Sequence, residues 1–227
     1  MTKVLIYCPL NPRHPRIYPE TLQSILVLDW DKPLEIIFGR DDMDYTPHTN
    51  EKYANLTAKY NRARLLALAG GYDALLTIEA DMIVPSMALQ RMSRVDADVV
   101  YALYCSRRPG RQVGPSRWLV FSEVSGENGN GFRAAKAERT PNERRALWGS
   151  VVESKGMGLG CTLIRRQVLE KIHFRCPDPE VSNDWYLSLD CQAHGFSQAH
   201  DCGVVCGHID EDAVLWPDVE QGCLVEE

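Results

Sequence analysis

Two carboxylates, Glu79 and Asp81, are separated by one residue and follow a short apolar segment. Residues 74 to 78 form an apolar run of strand length, and Pro85 would end its pairing soon after. In an extended chain the two carboxylates point to the same side, because side chains alternate along a strand. Neighbouring carboxylates repel each other, and a divalent cation between them relieves that repulsion. The pattern predicts a cation site at a strand end, with two solvated loop acids as the alternative.

Three later segments carry residues of similar chemical interest. A glycine-dense turn, 156–160, allows backbone amides to approach a ligand closely. Asp184 falls in the first turn of a predicted helix, where an acid is also simply favourable for the helix. His208 follows a predicted strand, at a place where a histidine is often only structural. The chemistry of these residues depends on whether the fold brings them together.

The first third of the chain reads as alternating strands and helices, which predicts an α/β fold with a mostly parallel sheet. In such a sheet, ligands bind beyond the carboxyl ends of the strands. Those ends are Pro9 to Arg13, Arg40 to Asp42, and Glu79 to Asp81, and we expect them to line one crevice. Asp41 or Asp42 would then accept a hydrogen bond from a base or ribose, although acidic turn residues are common after strands.

Four pieces stand in a fixed order: the helix from Asn61 leading into Glu79-Ala80-Asp81, the glycine turn, Asn183-Asp184, and Gly207-His208. Together they resemble the GT-A glycosyltransferases, and more closely the family 2 type. The sequence departs from that pattern by Glu79 in place of an aspartate and by Asn183 in place of a glutamate.

The resemblance implies a nucleotide-sugar donor and a divalent ion, Mn²⁺ or Mg²⁺. It implies Asp81, His208 and Glu79 as ion ligands, and Asp184 as the general base. The implied donor-binding residues are Pro9, Arg13, Asp41, Asn61, Arg64, Glu79, Ala80 and Gly158. A solvated helix face is the alternative for Asn61 and Arg64.

The whole chain is then expected to be one GT-A-like domain, with residues 1–104 binding the donor and 105–227 binding the acceptor. The implied reaction is metal-dependent hexosyl transfer to a hydroxyl, with a UDP-sugar favoured and inversion expected. A retaining course follows if Asp184 lies on the leaving-group side. A nucleotidyltransferase is a second hypothesis, although the loop after the first strand has no glycine. A noncatalytic nucleotide-sugar or nucleic-acid binding module is the third.

Composition fits a single sizeable core, since 44% of the 227 residues are hydrophobic and 25% are charged. No apolar run approaches the length of a membrane span, and the N-terminus reads as a first strand, so we expect a cytoplasmic protein. The eight cysteines form no Cys-x-x-Cys pair, which favours reduced thiols over a zinc site.

Two arginine-rich segments, 106–117 and 133–145, contrast with the net charge of −6. The negative total argues against a nonspecific nucleic-acid coat, yet these segments are predicted to face the acceptor. A glycan, a protein hydroxyl or a hydroxylated DNA base would each suit these segments as acceptor. The alternative is that both segments are solvent-exposed loops without a binding role.

Overall fold

Strands and helices alternate through the first half of the chain, as the spacing of apolar residues predicts. The computed structural model of the protein describes residues 3–10, 17–39, 52–106, 118, 140–178 and 181–226. Its strands are β1 (Val4–Pro9), β2 (Leu34–Gly39), β3 (Ala74–Ile78), β4 (Met82–Ile83), β5 (Val99–Leu103), β6 (Val151–Glu153), β7 (Cys161–Arg165), β8 (Gln198–Val205), β9 (Gly207–Asp210), β10 (Ala213–Asp218) and β11 (Gly222–Glu226). Its helices are α1 (Pro19–Leu26), α2 (Lys52–Ala69), α3 (Ala88–Arg94), α4 (Pro141–Leu147), α5 (Arg166–Lys171) and α6 (Asn183–Ala193).

Within this described part, a seven-stranded sheet has the order β2-β1-β3-β7-β5-β8-β6. Strands β2, β1, β3, β5 and β8 run in one direction, and β7 and β6 run in the other. The central strands β1, β3 and β5 are fully buried, because helices cover both their faces. The predicted α/β class, with a mostly parallel central sheet flanked by helices, is confirmed.

A second, antiparallel sheet has the order β11-β10-β9-β4. It is formed by the chain that leaves the ends of β3 and β8, together with the C-terminal hairpin. Arg144 on α4 donates hydrogen bonds to the carbonyl oxygens of Val219 and Glu220, and Arg145 forms an ion pair with Glu220. The acidic tail, for which the sequence suggested no role, therefore closes the fold against α4.

Two arginines at the junction of β7 and α5 hold the C-terminal ends of neighbouring helices. The Arg165 guanidinium donates to the carbonyls of Ser93, Val95 and Ala97 at the end of α3. Arg166 donates to the carbonyls of Leu68 and Tyr72 at the end of α2. Carbonyls at a helix C-terminus lack partners within the helix, so these two cations anchor both helices to the sheet.

The second half of the chain has shorter elements. Helix α3 begins at Ala88, three residues after Pro85, and β6 is a short strand. Part of the arginine-rich segment 133–145 is helix α4, which begins with a capping box between Thr140 and Glu143. Trp118, described without its neighbours, pairs with Cys105.

In the described residues, no helix combines the length and the apolar character that crossing a membrane requires.

Candidate active site

Asp81 and His208 are brought together because two chain segments leave the main sheet at the same edge. Strands β3 and β8 run in the same direction, and each passes directly into a short strand of the second sheet. Those short strands, β4 and β9, pair antiparallel with Met82 opposite His208. The amide of Ile209 also donates to the carbonyl of Asp81 at 2.8 Å. Both side chains are buried, with 7% of Asp81 and 6% of His208 exposed.

The His208 ring is fixed in one tautomer by a backbone contact. Its Nδ1 lies 2.8 Å from the carbonyl oxygen of Cys105, which can only accept, so Nδ1 carries the hydrogen. In the neutral ring, Nε2 then presents its lone pair, and it lies 3.7 Å from Oδ2 of Asp81. A carbonyl that orients the distal nitrogen in this way is the usual support of a metal-ligating histidine.

The Asp81–His208 pair fits a divalent ion that also has ligands from a bound molecule. Two atoms bonded to one ion at about 2.1 Å can lie at most about 4.2 Å apart, which includes the observed separation. An oxygen and an imidazole nitrogen suit Mn²⁺ as well as Mg²⁺. The part of the chain that is described contains no group of three His, Cys, Asp or Glu side chains placed to hold an ion. Diphosphate oxygens of a bound molecule would be suitable further ligands.

Glu79 does not lie on the same strand as Asp81. The predicted alternation fails because the chain turns sharply: the amide of Met82 donates to the carbonyl of Glu79 at 3.1 Å, and β3 has already ended at Ile78. The role of Glu79 as an ion ligand stays a prediction. Burial raises the pKa of the Cys8 thiol to about 12, and the charge of Glu79 contributes to that rise.

The glycine turn packs against Tyr104, the residue that follows β5. The amide of Gly160 donates to the Tyr104 hydroxyl at 3.1 Å. A methyl group added to Gly160 would lie 2.8 Å from the Tyr104 ring, so this position tolerates no side chain. Close packing with a tyrosine, and not only approach to a ligand, therefore explains the glycines. The donor-binding role of Gly158 stays a prediction.

Asp184 lies in the first turn of α6, as predicted. The N-cap residue is Ser182, and its side chain makes no cap hydrogen bond. The Asp184 carboxylate itself accepts the Trp185 amide hydrogen, with 2.7 Å between Oδ1 and that nitrogen. A methyl group on Gly158 would lie 3.2 Å from Asp184 Oδ2, so the carboxylate stands beside the glycine turn.

Two buried phenols connect this carboxylate with Glu79. Burial raises the pKa of Tyr60 well above its usual value, and the charges of Glu79 and Asp184 raise it further. Burial has the same effect on the pKa of Tyr104, again with contributions from Glu79 and Asp184. Glu79 and Asp184 therefore both act electrostatically on Tyr60 and Tyr104, and the Tyr104 ring also contacts His208.

Asn61 and Arg64 both make hydrogen bonds within the protein. The Asn61 amide donates to the carbonyl of Phe174 at 2.7 Å and accepts from its backbone amide at 3.0 Å. Nε of Arg64, a residue only 6% exposed, donates to the carbonyl of Leu169 at 2.5 Å. Both side chains join α2 to the segment that begins with α5, and their role in donor binding stays a prediction.

Replacing Asn61 by alanine is expected to destabilise the protein by about 1–3 kcal/mol, because the Phe174 backbone loses both partners. Urea unfolding measures this change. Arg62→Ala, an exposed change on the same helix, is the matched control and should be close to neutral. An Asn61→Ala protein of unchanged stability would contradict this structural role.

The remaining predicted residues lie at the expected edge or outside the described residues. Pro9 pairs with Gly39 where β1 and β2 end, and Leu10, just beyond, accepts a hydrogen bond from the buried Lys59 ammonium. The carbonyl of Ala80 accepts from the amide of Tyr18 at the start of α1. Arg13 and Asp41 lie outside the described residues, as do 107–117 and 133–139 of the arginine-rich segments.

Comparison with known proteins identifies a fold and no family. No family model matches the chain, and no curated protein sequence matches it. Among solved structures, A197 from STIV is similar with a TM-score of 0.56 and 16% identity, over 100% of this chain and 95% of that one. This likeness supports the α/β fold described above.

Two other solved structures are similar at lower scores. TarS 1-349 from S. aureus in complex with UDP-GlcNAc has a TM-score of 0.44 and 12% identity, over 94% of this chain and 57% of that chain. The inositol-1-phosphate CTP transferase from T. maritima has a TM-score of 0.48 and 9% identity, over 93% and 90% of the two chains.

Proposed function

We propose that this protein is a metal-dependent glycosyltransferase of the GT-A type that moves a hexosyl group from a nucleotide-sugar to an acceptor hydroxyl. The observation that carries the proposal is the Asp81–His208 pair, 3.7 Å apart at the carboxyl edge of the sheet. A buried carboxylate that faces an imidazole lone pair is well suited to a divalent ion. Asp184 supplies a second carboxylate in the same region, next to the glycine turn.

Asp81 and His208 are the residues that would hold Mn²⁺ or Mg²⁺. When bound, the ion supplies positive charge to the diphosphate that leaves with the nucleoside. The surrounding groups exclude water, since Met82, Tyr104 and Ile209 are all buried. Low exposure strengthens the attraction between the charged groups of the site.

Asp184 is the group proposed to act on the acceptor. Its Oδ1 accepts the Trp185 amide hydrogen, and Oδ2, beside Gly158, is the oxygen that we propose takes the proton. The acceptor hydroxyl would transfer its proton to Oδ2 while its oxygen forms a bond to the anomeric carbon. The bond from that carbon to the diphosphate breaks in the same displacement, which inverts the anomeric configuration.

The proposal keeps a division of labour along the chain. Residues 1–104, with Pro9, Ala80 and Asp81, are assigned to the donor. Residues 105–227, with Asp184, are assigned to the acceptor, although Gly158 is assigned to the donor and His208 to the ion. A UDP-sugar is the favoured donor. The acceptor is a glycan, a protein hydroxyl or a hydroxylated DNA base.

The proposal predicts that one nucleotide-sugar raises the melting temperature of the protein only when Mn²⁺ or Mg²⁺ is present. A ligand at a hundred times its Kd stabilises the folded state by about 2.7 kcal/mol, which is a shift of roughly 5–10 °C for a chain of this size. UDP-, GDP-, dTDP- and CMP-sugars should be compared with and without the ion, and EDTA should remove the shift. No shift with any donor would contradict the proposal.

The reaction products distinguish the alternatives. Glycosyl transfer releases a nucleoside diphosphate, and NMR of the product anomer tests inversion. Pyrophosphate-dependent cleavage of the nucleotide-sugar to a nucleoside triphosphate would identify a nucleotidyltransferase. Donor binding without turnover across a panel of glycan, protein and hydroxylated-DNA acceptors would identify a binding module.

A further inference from the structure

Tyr104 lies where the parts of the candidate site meet. It follows β5 directly, is only 3% exposed, and was not predicted as a site residue. The edge-to-face contact between its ring and the His208 ring has centroids 5.8 Å apart and planes at 88°. Its hydroxyl accepts the hydrogen bond from Gly160. One side chain therefore contacts both the candidate ion ligand and the glycine turn.

The end of β5 holds His208 by two independent contacts. The Tyr104 ring packs on the imidazole, and the carbonyl of the next residue, Cys105, accepts its Nδ1 hydrogen. The first contact restricts where the ring lies, and the second sets which nitrogen faces Asp81. The two contacts come from consecutive residues of one segment. A shift of the Tyr104 ring would therefore also move Nε2 of His208.

The Tyr104 hydroxyl also borders the place occupied by Asp184. A methyl group built on Gly158 would lie 2.5 Å from that hydroxyl and 3.2 Å from Asp184 Oδ2. Both oxygens therefore border the space beside the Gly158 α-carbon, and the glycine turn that the hydroxyl holds lies next to the Asp184 carboxylate.

We propose that Tyr104 is a positioning residue for the transfer reaction, with its ring setting the place of His208 and its hydroxyl holding the glycine turn that borders Asp184. This inference rests on the proposed function. It assigns the two halves of one side chain to two different partners, so that each half is removed by a different substitution. Misplacement of a reacting group by about 1 Å can lower a rate by about a hundredfold.

Tyr104→Phe removes the hydroxyl and keeps the ring. We expect kcat to fall by about ten- to a hundredfold, while KM for the donor and the affinity for Mn²⁺ stay within about twofold of wild type. Tyr104→Leu removes the ring as well, and should weaken Mn²⁺ binding by about ten- to a hundredfold, as loss of a supporting residue does. Electron paramagnetic resonance of free Mn²⁺ measures that affinity without any turnover.

Tyr101→Phe is the matched control. Tyr101 is a second buried tyrosine on β5, and its hydroxyl donates to Gln198 at 2.7 Å. The control also loses a buried hydroxyl, yet should keep both kcat and Mn²⁺ affinity. Gly158→Ala is a second probe that leaves Tyr104 intact and places a methyl group between the hydroxyl and Asp184. It should lower kcat, and it decides the question if Tyr104→Phe does not fold.

The outcomes separate this inference from the proposed function. If the wild type transfers sugar and both Tyr104→Phe and Gly158→Ala keep its kcat, the positioning role is wrong and the function stands. If the wild type binds Mn²⁺ but transfers no sugar, the proposed function is wrong. The Mn²⁺ affinities of Tyr104→Leu and Tyr104→Phe still decide the role of the ring. If Tyr104→Leu binds Mn²⁺ as wild type does, the ring does not position His208. A wild-type protein that binds no Mn²⁺ overturns both.

Discussion

Replacing Asp81 by asparagine is expected to abolish the rise in melting temperature that Mn²⁺ and the donor produce together. The buried carboxylate and His208 are the side chains proposed to hold the ion, and an amide carries no charge to offset the ion's desolvation. Loss of binding at a hundred times Kd removes about 2.7 kcal/mol of stabilisation, or roughly 5–10 °C. Turnover should disappear with it. Differential scanning fluorimetry with and without EDTA measures the shift.

His208→Phe should have the same effect, since phenylalanine keeps an aromatic ring beside Tyr104 but has no nitrogen to bind an ion. The controls are buried residues of the same types at other places. Asp201→Asn breaks an ion pair with Arg91 and should lower stability, yet keep the full ligand-induced shift. His200→Phe alters a buried ring that contacts Met157 and should likewise keep it. A full shift in Asp81→Asn or His208→Phe would show that the ion is held elsewhere.

The sequence was sufficient to predict which strands end at the site. The runs 4–8, 34–38 and 74–78 are apolar over strand length and separated by helical spacing, so their order and common direction follow from local pattern and chain connectivity. The strand before His208 was predicted for the same reason. Local patterns therefore place Asp81 and His208 at one edge, although their pairing requires the β4–β9 register.

The side-chain directions and long-range partners were not predictable in this way. Glu79 was expected beside Asp81, but a turn between residues 79 and 82 breaks the alternation. Asn61 and Arg64 bond to Phe174 and Leu169, which are more than a hundred residues away in sequence. No local pattern specifies such contacts.

Tyr104 was missed because an aromatic residue that follows a Val-rich strand is typical of a core. The available signal was indirect: the glycines of 156–160 leave space that a large side chain from another element must fill. Tyr104 fills that space, so the glycine turn 156–160 is part of the packing around the site.

Asp184→Asn is expected to lower kcat by about a hundred- to ten-thousandfold, the range that a general base contributes, while the donor still binds. The substitution is well matched, because an asparagine Oδ1 can still accept the Trp185 amide hydrogen and keep the start of α6 in place. Single-turnover measurements with the donor pre-bound would separate the chemical step from binding. A normal ion-dependent shift in melting temperature should accompany the loss of turnover.

The control for Asp184→Asn is Asp190→Asn on the same helix. It removes a carboxylate that is paired with Arg175 at 2.8 Å, so some stability is lost without any change near Gly158. Turnover in this variant should match the wild type at a temperature where both are folded. If Asp184→Asn also keeps its turnover, no proton passes to Asp184, and another group must deprotonate the acceptor. Asp184 stands beside Gly158, which borders the Tyr104 hydroxyl. The next carboxylate to replace would be Glu79, because its charge acts on Tyr104 as that of Asp184 does.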